Sequence, residues 1–445
     1  MTVYPSQHWD RVDPKPAGWS TDLLARARVH SRRIGSSAVV IVQRGRVIAE
    51  WGDVSRNSLS ASIRKSLLSA LIGIAIDEKR LALGDTLEQL GIDDKEPALT
   101  SSEKQATVAD LLTSRSGVYN PVDLEPTAVA ALRPLRGSHP PGTFWYYNNW
   151  DFNALGTIYE KVTGDGIFTA FERRIARAIG LQDFKADGCR YGDARRSLHR
   201  DYAFRMSARD LARFGLLYLR GGLWENRQVV PSDWVAESVL PLVRPHGEIF
   251  AGRGYGYTWW SEFASDWAPL VTLPRGTYYA LGFGGQYLFV VPEHELVAVH
   301  LADMEQLGWR FVNDVHMGRL MWLILAAAGL GDIGPDTSVE SAVLASAAET
   351  KASLTGATLR YAESAPGGPY VMRLNTDGSA SLDKGHPTRR VFDGKWWIEG
   401  DKLCRGWNKF HPNYDAWPVA ITGSTVTLYG DDDTIFLQAR LVRDG

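Results

Sequence analysis

Residues 60–85 read SASIRKSLLSALIGIAIDEKRLALGD. The apolar residues Leu67, Leu68, Leu71, Ile72, Ile74 and Ile76 cover most of a helix circumference, not a single stripe. A helix greasy on every side belongs inside a core, so the spacing predicts a central, buried helix. At its start stand Ser62 and Lys65, which on a helix share one face, one turn apart. That separation lets a lysine amine reach a serine hydroxyl and take its proton, provided the amine is uncharged when it acts. A free lysine has a pKa of about 10.4, so burial and a nearby positive group must lower it.

Before this helix, the apolar runs 39–42 and 47–51 flank Gln43-Arg44-Gly45-Arg46, which reads as a β-hairpin. After it, from about 85 to 240, the pattern is mostly helical, as at 107–114, 151–162 and 207–220, broken by loops rich in Pro and Gly. Near 255 the texture changes to strands, at 255–260, 278–281, 286–291 and 296–301, and a helix at 312–327 closes this part. Strands, helices, strands and a helix in that order predict an α+β (α/β sandwich) fold. Its antiparallel sheet is built from both ends of the segment and flanked by helices, with a helical lobe inserted between. A cleft between sheet and lobe is the natural place for a site.

Residues 331–336, GDIGPD, read as a linker, followed by a short Ala-rich helix at 339–351. From about 355, alternating runs at 358–361, 370–374, 395–399, 419–422, 426–429 and 435–441 are separated by turn signals such as Asn375-Thr376-Asp377-Gly378. They predict a small all-β barrel or sandwich. The expected domains are 1–333, with the helical lobe at about 85–240, then a linker and short helix at 334–352, then an all-β domain at 353–445.

Composition narrows the function classes. A formal net charge of −2 with no basic block gives no footprint for nucleic acid or an anionic membrane. Cys189 and Cys404 are the only cysteines, too few for a disulfide framework, and no metal-ligand spacing occurs. The start, MTVYPSQHWDRVDPKP, has no apolar core of a signal peptide, and the longest apolar runs are too short to span a bilayer. A cytoplasmic location is the resulting expectation. A homo-oligomer is compatible with the sequence.

Ser-x-x-Lys alone is weak evidence, because it recurs at Ser101–Lys104 and Ser381–Lys384, both in polar, turn-like surroundings that read as solvated surface. Ser62 differs because it opens the most apolar helix, although by itself it also suits an N-cap. A second element is Pro141-Gly142-Thr143-Phe144-Trp145-Tyr146-Tyr147-Asn148-Asn149. A Tyr-x-Asn on such a loop can face a serine across a cleft. Its phenol can shuttle a proton, and its amide can orient the lysine or a substrate carbonyl.

Together these segments resemble the β-lactamase-like, penicillin-recognising serine hydrolases, and within them the esterase and 6-aminohexanoate-dimer hydrolase branch. The resemblance covers about residues 35–330. It includes TVADLLTSRSG at 107–117, similar to the family's stretch leading to a Ser-Gly turn, and FRMSARDLARFG at 204–215, a family-like helix. The Pro-Gly then Tyr-x-Asn spacing favours Tyr147 and Asn149 over Tyr146 and Asn148. The resemblance implies Ser62 as nucleophile, Lys65 as base, Tyr147 as proton relay, and Asn149 at the lysine or substrate. It implies an oxyanion site at the N–H groups of Ser62 and Phe283, beside Gly282, and no cofactor.

One departure matters. The family's third motif, Lys-Thr-Gly or His-x-Gly, falls on Ala280-Leu281-Gly282 when counted back from Pro292, or on Phe283-Gly284-Gly285 in another register. Neither carries the cation that would bind a substrate carboxylate. This favours a small ester or amide without that group over a β-lactam or peptidoglycan peptide. Gly282, Gly284 and Gly285 permit close backbone approach, whether by a ligand or within a β-bulge. A Gly-x-Ser-x-Gly elbow is absent, which disfavours an α/β-hydrolase. An acyltransferase, a D-aminopeptidase or DD-peptidase, and a catalytically silent binding homologue remain alternatives.

Overall fold

The computed structural model describes residues 3–245, 253–261, 273–306, 311–312, 314–330, 344–361, 370–384, 390–407, 415–429 and 435–442. They fall into two compact units. The first takes the described residues of Met1–Asp13, Ser36–Phe263 and Leu273–Leu307, and the second those of Pro14–Gly35 and Gly308–Gly445. The chain's first helix, α1 (Thr21–Ile34), belongs to the second unit.

The first unit is built on a seven-stranded antiparallel sheet. Strands β1 (Ala38–Gln43) and β2 (Arg46–Gly52) form the expected hairpin, its turn made by Arg44 and Gly45 at φ 52° and 78°. The short strand β3 (Ser58–Leu59) leads into helix α2 (Ile63–Asp77) and then into the helical lobe. The lobe holds α3 (Val108–Leu112) and α4 (Asn149–Thr163), then β4 (Arg205–Met206), which pairs with β3, and α5 (Ala208–Leu219). The chain returns to the sheet through β5 (Gly254–Tyr255), β6 (Trp260–Ser261), β7 (Tyr278–Gly282), β8 (Gln286–Val291) and β9 (Leu296–Leu301). The strand order is β2-β1-β9-β8-β7-β6-β5. Val40 lies opposite Val299, so strands from the two ends of the segment pair side by side, as the alternation of strand and helix patterns predicts.

Helix α2 is buried at every residue from Ile63 to Ala75. Its two serines are satisfied rather than exposed. Ser66 Oγ donates to Thr258 O at 2.8 Å and Ser69 Oγ to Tyr257 O at 2.9 Å. Those two carbonyls correct one expectation: 255–260 is not a single strand but the short pair β5 and β6 with a turn between them, Thr258 standing at φ 62°. Alternating large and small residues satisfy a hairpin as well as a strand. The hydroxyls of a helix distant in sequence decide between them.

In the lobe, Thr107 and Asp110 form a reciprocal capping box on α3, and Asn148 Oδ1 accepts from Trp150 N at the start of α4. Asp94 is buried and accepts from Asn120 Nδ2 (3.1 Å), Trp150 Nε1 (2.6 Å), Ser197 Oγ (3.0 Å) and Leu198 N (2.7 Å). One carboxylate thus ties the segments at Asn120 and at 197–198 to the start of α4.

In the second unit, α1 packs on helix α6 (Asp314–Ala327), and Ser20 N donates to Ala327 O at 2.8 Å. The C-terminal strands Ala357–Tyr361, Tyr370–Leu374, Ser379–Lys384, Arg390–Glu399, Lys402–Trp407, Asp415–Thr422, Thr425–Tyr429 and Ile435–Val442 close into an antiparallel barrel. Closure selects the barrel over the sandwich. The strands Ser379–Lys384 and Lys402–Trp407 escape a sequence reading because their polar residues mask the inward alternation of Ala380, Leu382 and Leu403. Ser381 is consequently buried in a strand, not on a solvated turn, and residues three apart in a strand do not share a face. The helix expected at 339–351 is observed as Ala347–Leu354, started by the capping box of Ser346 and Glu349. Residues 339–343 and the linker expected at 331–336 lie outside the described residues. Among the described residues no helix is long and apolar enough to cross a membrane.

Candidate active site

The chain reaches α2 through a forced bend. Ser60 N and Ser60 Oγ both donate to Phe204 O at 3.0 Å, and Ala61 stands at φ 47°, a left-handed conformation rare for a side chain with a Cβ. Ser62 occupies the N-cap position but makes no capping hydrogen bond. Its hydroxyl therefore turns to Lys65, whose Nζ lies 2.9 Å away. The Ser62 N–H has no hydrogen-bond partner among the described residues.

Lys65 is 2 % exposed, and its Nζ also lies 2.7 Å from Tyr147 Oη and 3.0 Å from Asn149 Oδ1. Burial pushes this amine well below the usual lysine range. The Arg64 guanidinium adds to the effect, and Glu125 opposes it. Burial drives the Tyr147 phenol up to about 12, against a hydrogen bond with Ser62 and the Arg64 charge, which both favour the phenolate. An amine whose charged form burial disfavours, an intact phenol and a serine hydroxyl thus meet in one buried contact. Asn149 is buried, and its Nδ2 has no hydrogen-bond partner.

Tyr147 is held from both sides of its own backbone. Ser114 Oγ donates to Tyr146 O at 2.6 Å and accepts from Asn148 N at 2.9 Å, while Tyr146 N donates to Ser114 O at 3.1 Å. The Trp260 ring stacks on the Tyr147 ring, 5.8 Å between centroids and 22° between planes, and Phe152 packs at 5.1 Å. The overlapping pair is occupied elsewhere. Tyr146 Oη donates to Glu125 Oε1 at 2.9 Å, and Asn148 caps α4.

Of the residues singled out in the sequence, Ser62, Lys65, Tyr147 and Asn149 are brought together. Gly282 ends β7 directly behind the Ser62 bend. A Cβ there would lie 2.6 Å from Ser60 O and 3.1 Å from Ala61 Cβ, so its packing role is toward the protein's own backbone. Phe283 follows it, about half exposed, and opens the turn in which Gly284 and Gly285 have φ of 85° and 100°. Ser101–Lys104 stays apart from the site, with Lys104 paired to Asp93 at 2.6 Å. Sequence reading placed Ser114 in the family-like stretch 107–117 and Trp260 in an expected strand but gave neither a part in the site, both being remote in sequence from Tyr147. Only the chain's path places them against it.

The Beta-lactamase family model matches residues 21–312. Three solved structures are similar. A Bacillus anthracis protein assigned as a 6-aminohexanoate-dimer hydrolase has 21 % identity and a TM-score of 0.50, with 74 % of this chain and 88 % of that one covered. A penicillin-binding protein homologue of Caulobacter crescentus has 16 % identity and a TM-score of 0.52, covering 70 % and 99 %. The octameric penicillin-binding protein homologue of Pyrococcus abyssi has 16 % identity and a TM-score of 0.50, covering 95 % and 99 %. These likenesses are of fold. With the family match spanning well over half its length, the chain belongs to the Beta-lactamase family of serine hydrolases.

Proposed function

We propose that this protein hydrolyses a carboxylic ester or amide through an acyl-enzyme on Ser62. The observation that carries the reading is the position of Lys65 Nζ, within 3.0 Å of Ser62 Oγ, Tyr147 Oη and Asn149 Oδ1 while shielded from water. Lys65 accepts the Ser62 proton as the serine oxygen bonds to the substrate carbonyl carbon. The N–H groups of Ser62 and Phe283 receive the oxyanion, and one such donor is typically worth about a hundred- to thousandfold in rate. The proton returns through Tyr147 to the leaving alcohol or amine as the carbon–heteroatom bond breaks. Water, deprotonated by the same groups, then releases the acid and restores Ser62. Asn149 Nδ2, buried and without a hydrogen-bond partner among the described residues, is the donor assigned to a substrate carbonyl.

Ala280-Leu281-Gly282 and the turn after it offer no cation for a substrate carboxylate. This supports an ester or amide lacking that group. The test is labelling with a fluorophosphonate and turnover of a short-chain chromogenic ester, followed by intact mass. An adduct on the peptide carrying Ser62, absent in Ser62→Ala together with turnover, is expected. No adduct and no turnover from the folded wild-type protein points to a silent binding homologue, and acyl transfer to an added alcohol points to a transferase.

A further inference from the structure

Arg64 follows Ser62 by two residues and is 6 % exposed. Its Nη2 donates to Asn153 Oδ1 on α4 at 3.1 Å, and its guanidinium carbon lies 4.2 Å from the centre of the Tyr202 ring. Among the described residues its Nη1 has no hydrogen-bond partner and no carboxylate pairs with it. A guanidinium removed from water is normally neutralised. Here an amide and an aromatic face hold the group in place and leave its charge intact.

We propose that Arg64 is a positioning residue for the reaction above, a fixed and uncancelled positive charge beside Lys65 that disfavours a second positive charge on the amine and so keeps it able to accept the Ser62 proton. The inference rests on the assignment of Ser62 and Lys65. The electrostatics around the amine agree with it. Beside burial, the Arg64 charge also acts to lower the amine's pKa. Other groups facing Lys65 do not supply this charge. Tyr147 is uncharged, with burial holding its phenol at about 12. Glu125 acts in the opposite sense, and it is itself ion-paired with Arg133 and bonded to Tyr146. Asp151, on α4, is buried, which raises its carboxyl well above the usual range, and it accepts hydrogen bonds from Ser116 and Asn148. Tyr202, under the guanidinium, is likewise held at about 12 by burial.

A purely structural role for Arg64, tying α2 to α4, predicts lost stability but an unchanged pH profile. The two are separated by the second-order rate of Ser62 labelling with a fluorophosphonate as a function of pH. In that step the serine oxygen bonds to phosphorus, fluoride leaves, and Lys65 takes the proton. The rate rises with pH as Lys65 loses its charge. Arg64→Gln removes the guanidinium. Asn153→Asp keeps it and sets a carboxylate against it. Asn153→Ala disturbs the same packing without changing charge. The acid-side midpoint is expected to move up by about one pH unit in Arg64→Gln and in Asn153→Asp, and to stay in place in Asn153→Ala. Thermal melts of all three report folding, and Asn153→Asp decides the matter if Arg64→Gln does not fold. Equal midpoints in wild type and Asn153→Asp overturn the role of Arg64 alone. Absence of Ser62 labelling in wild type at every pH overturns the reading on which it rests.

Discussion

The role proposed for Lys65 carries two demands that conflict in water: it must be a base, yet an exposed lysine at neutral pH is an acid. Burial and the Arg64 charge both act against the ammonium form. The sign for the proposed reaction follows. Protonated Lys65 cannot accept the Ser62 proton, so activity rises as pH climbs through its lowered pKa. Tyr147, held at about 12 by burial, stays protonated across that interval and does not set the limb. Tyr147→Phe keeps the ring between Trp260 and Phe152 but deletes the hydroxyl. It is expected to lower kcat for a chromogenic ester by about a hundred- to ten-thousandfold. The acid limb should persist in the residual rate, and melting should change little.

Elements set the distances on which those residues depend. The end of β7 lies so close to the Ser62 bend that only a glycine fits. In Gly282→Ala the new Cβ meets a backbone oxygen, which cannot rotate away, so strand or bend must move. An accommodation of this kind costs about 1–3 kcal/mol in stability. The associated shift should slow Ser62 labelling about tenfold or more, measured beside urea denaturation of the same protein. At the start of α4, which carries Asn149, the anchor is Asp94. Burial penalises this carboxylate, but hydrogen bonds from Leu198 N, Asn120, Trp150 and Lys95 N outweigh burial and lower its pKa. A depressed carboxyl pKa gives stability that is present above the unfolded value of about 3.9 and lost as pH falls through the folded one. Asp94→Asn is therefore expected to cost about 2 kcal/mol at pH 7 in urea unfolding. The gap to wild type should shrink as both are taken to acid pH.

At the scale of the molecule, the C-terminal strands form a closed barrel with its own core of Leu359, Met372, Leu374, Trp396, Trp417 and Val419. Closure leaves no strand edge to be paired by a neighbour. Residues 344–445 produced alone are expected to unfold cooperatively with a β-sheet circular dichroism spectrum, and residues 1–330 to keep fluorophosphonate labelling of Ser62. Loss of labelling in a folded 1–330 fragment defeats the second expectation. The sequence by itself determined the α+β order, the hairpin, the central helix and the pairing of Ser62 with Lys65. Each of these is a local pattern, written in apolar period or in a one-turn spacing. What brings Tyr147 and Asn149 to Lys65 is contact between segments more than eighty residues apart. The same holds for the Ser114 clamp, the Trp260 stack and the turn at Thr258, which exist because other segments supply a hydroxyl, a ring or a carbonyl. No periodicity records such partners, since they depend on where the chain returns and not on what stands next to a residue. Tertiary structure decided them, and it also decided that Arg64 is buried against Asn153 and the Tyr202 ring, with no carboxylate paired to it among the described residues.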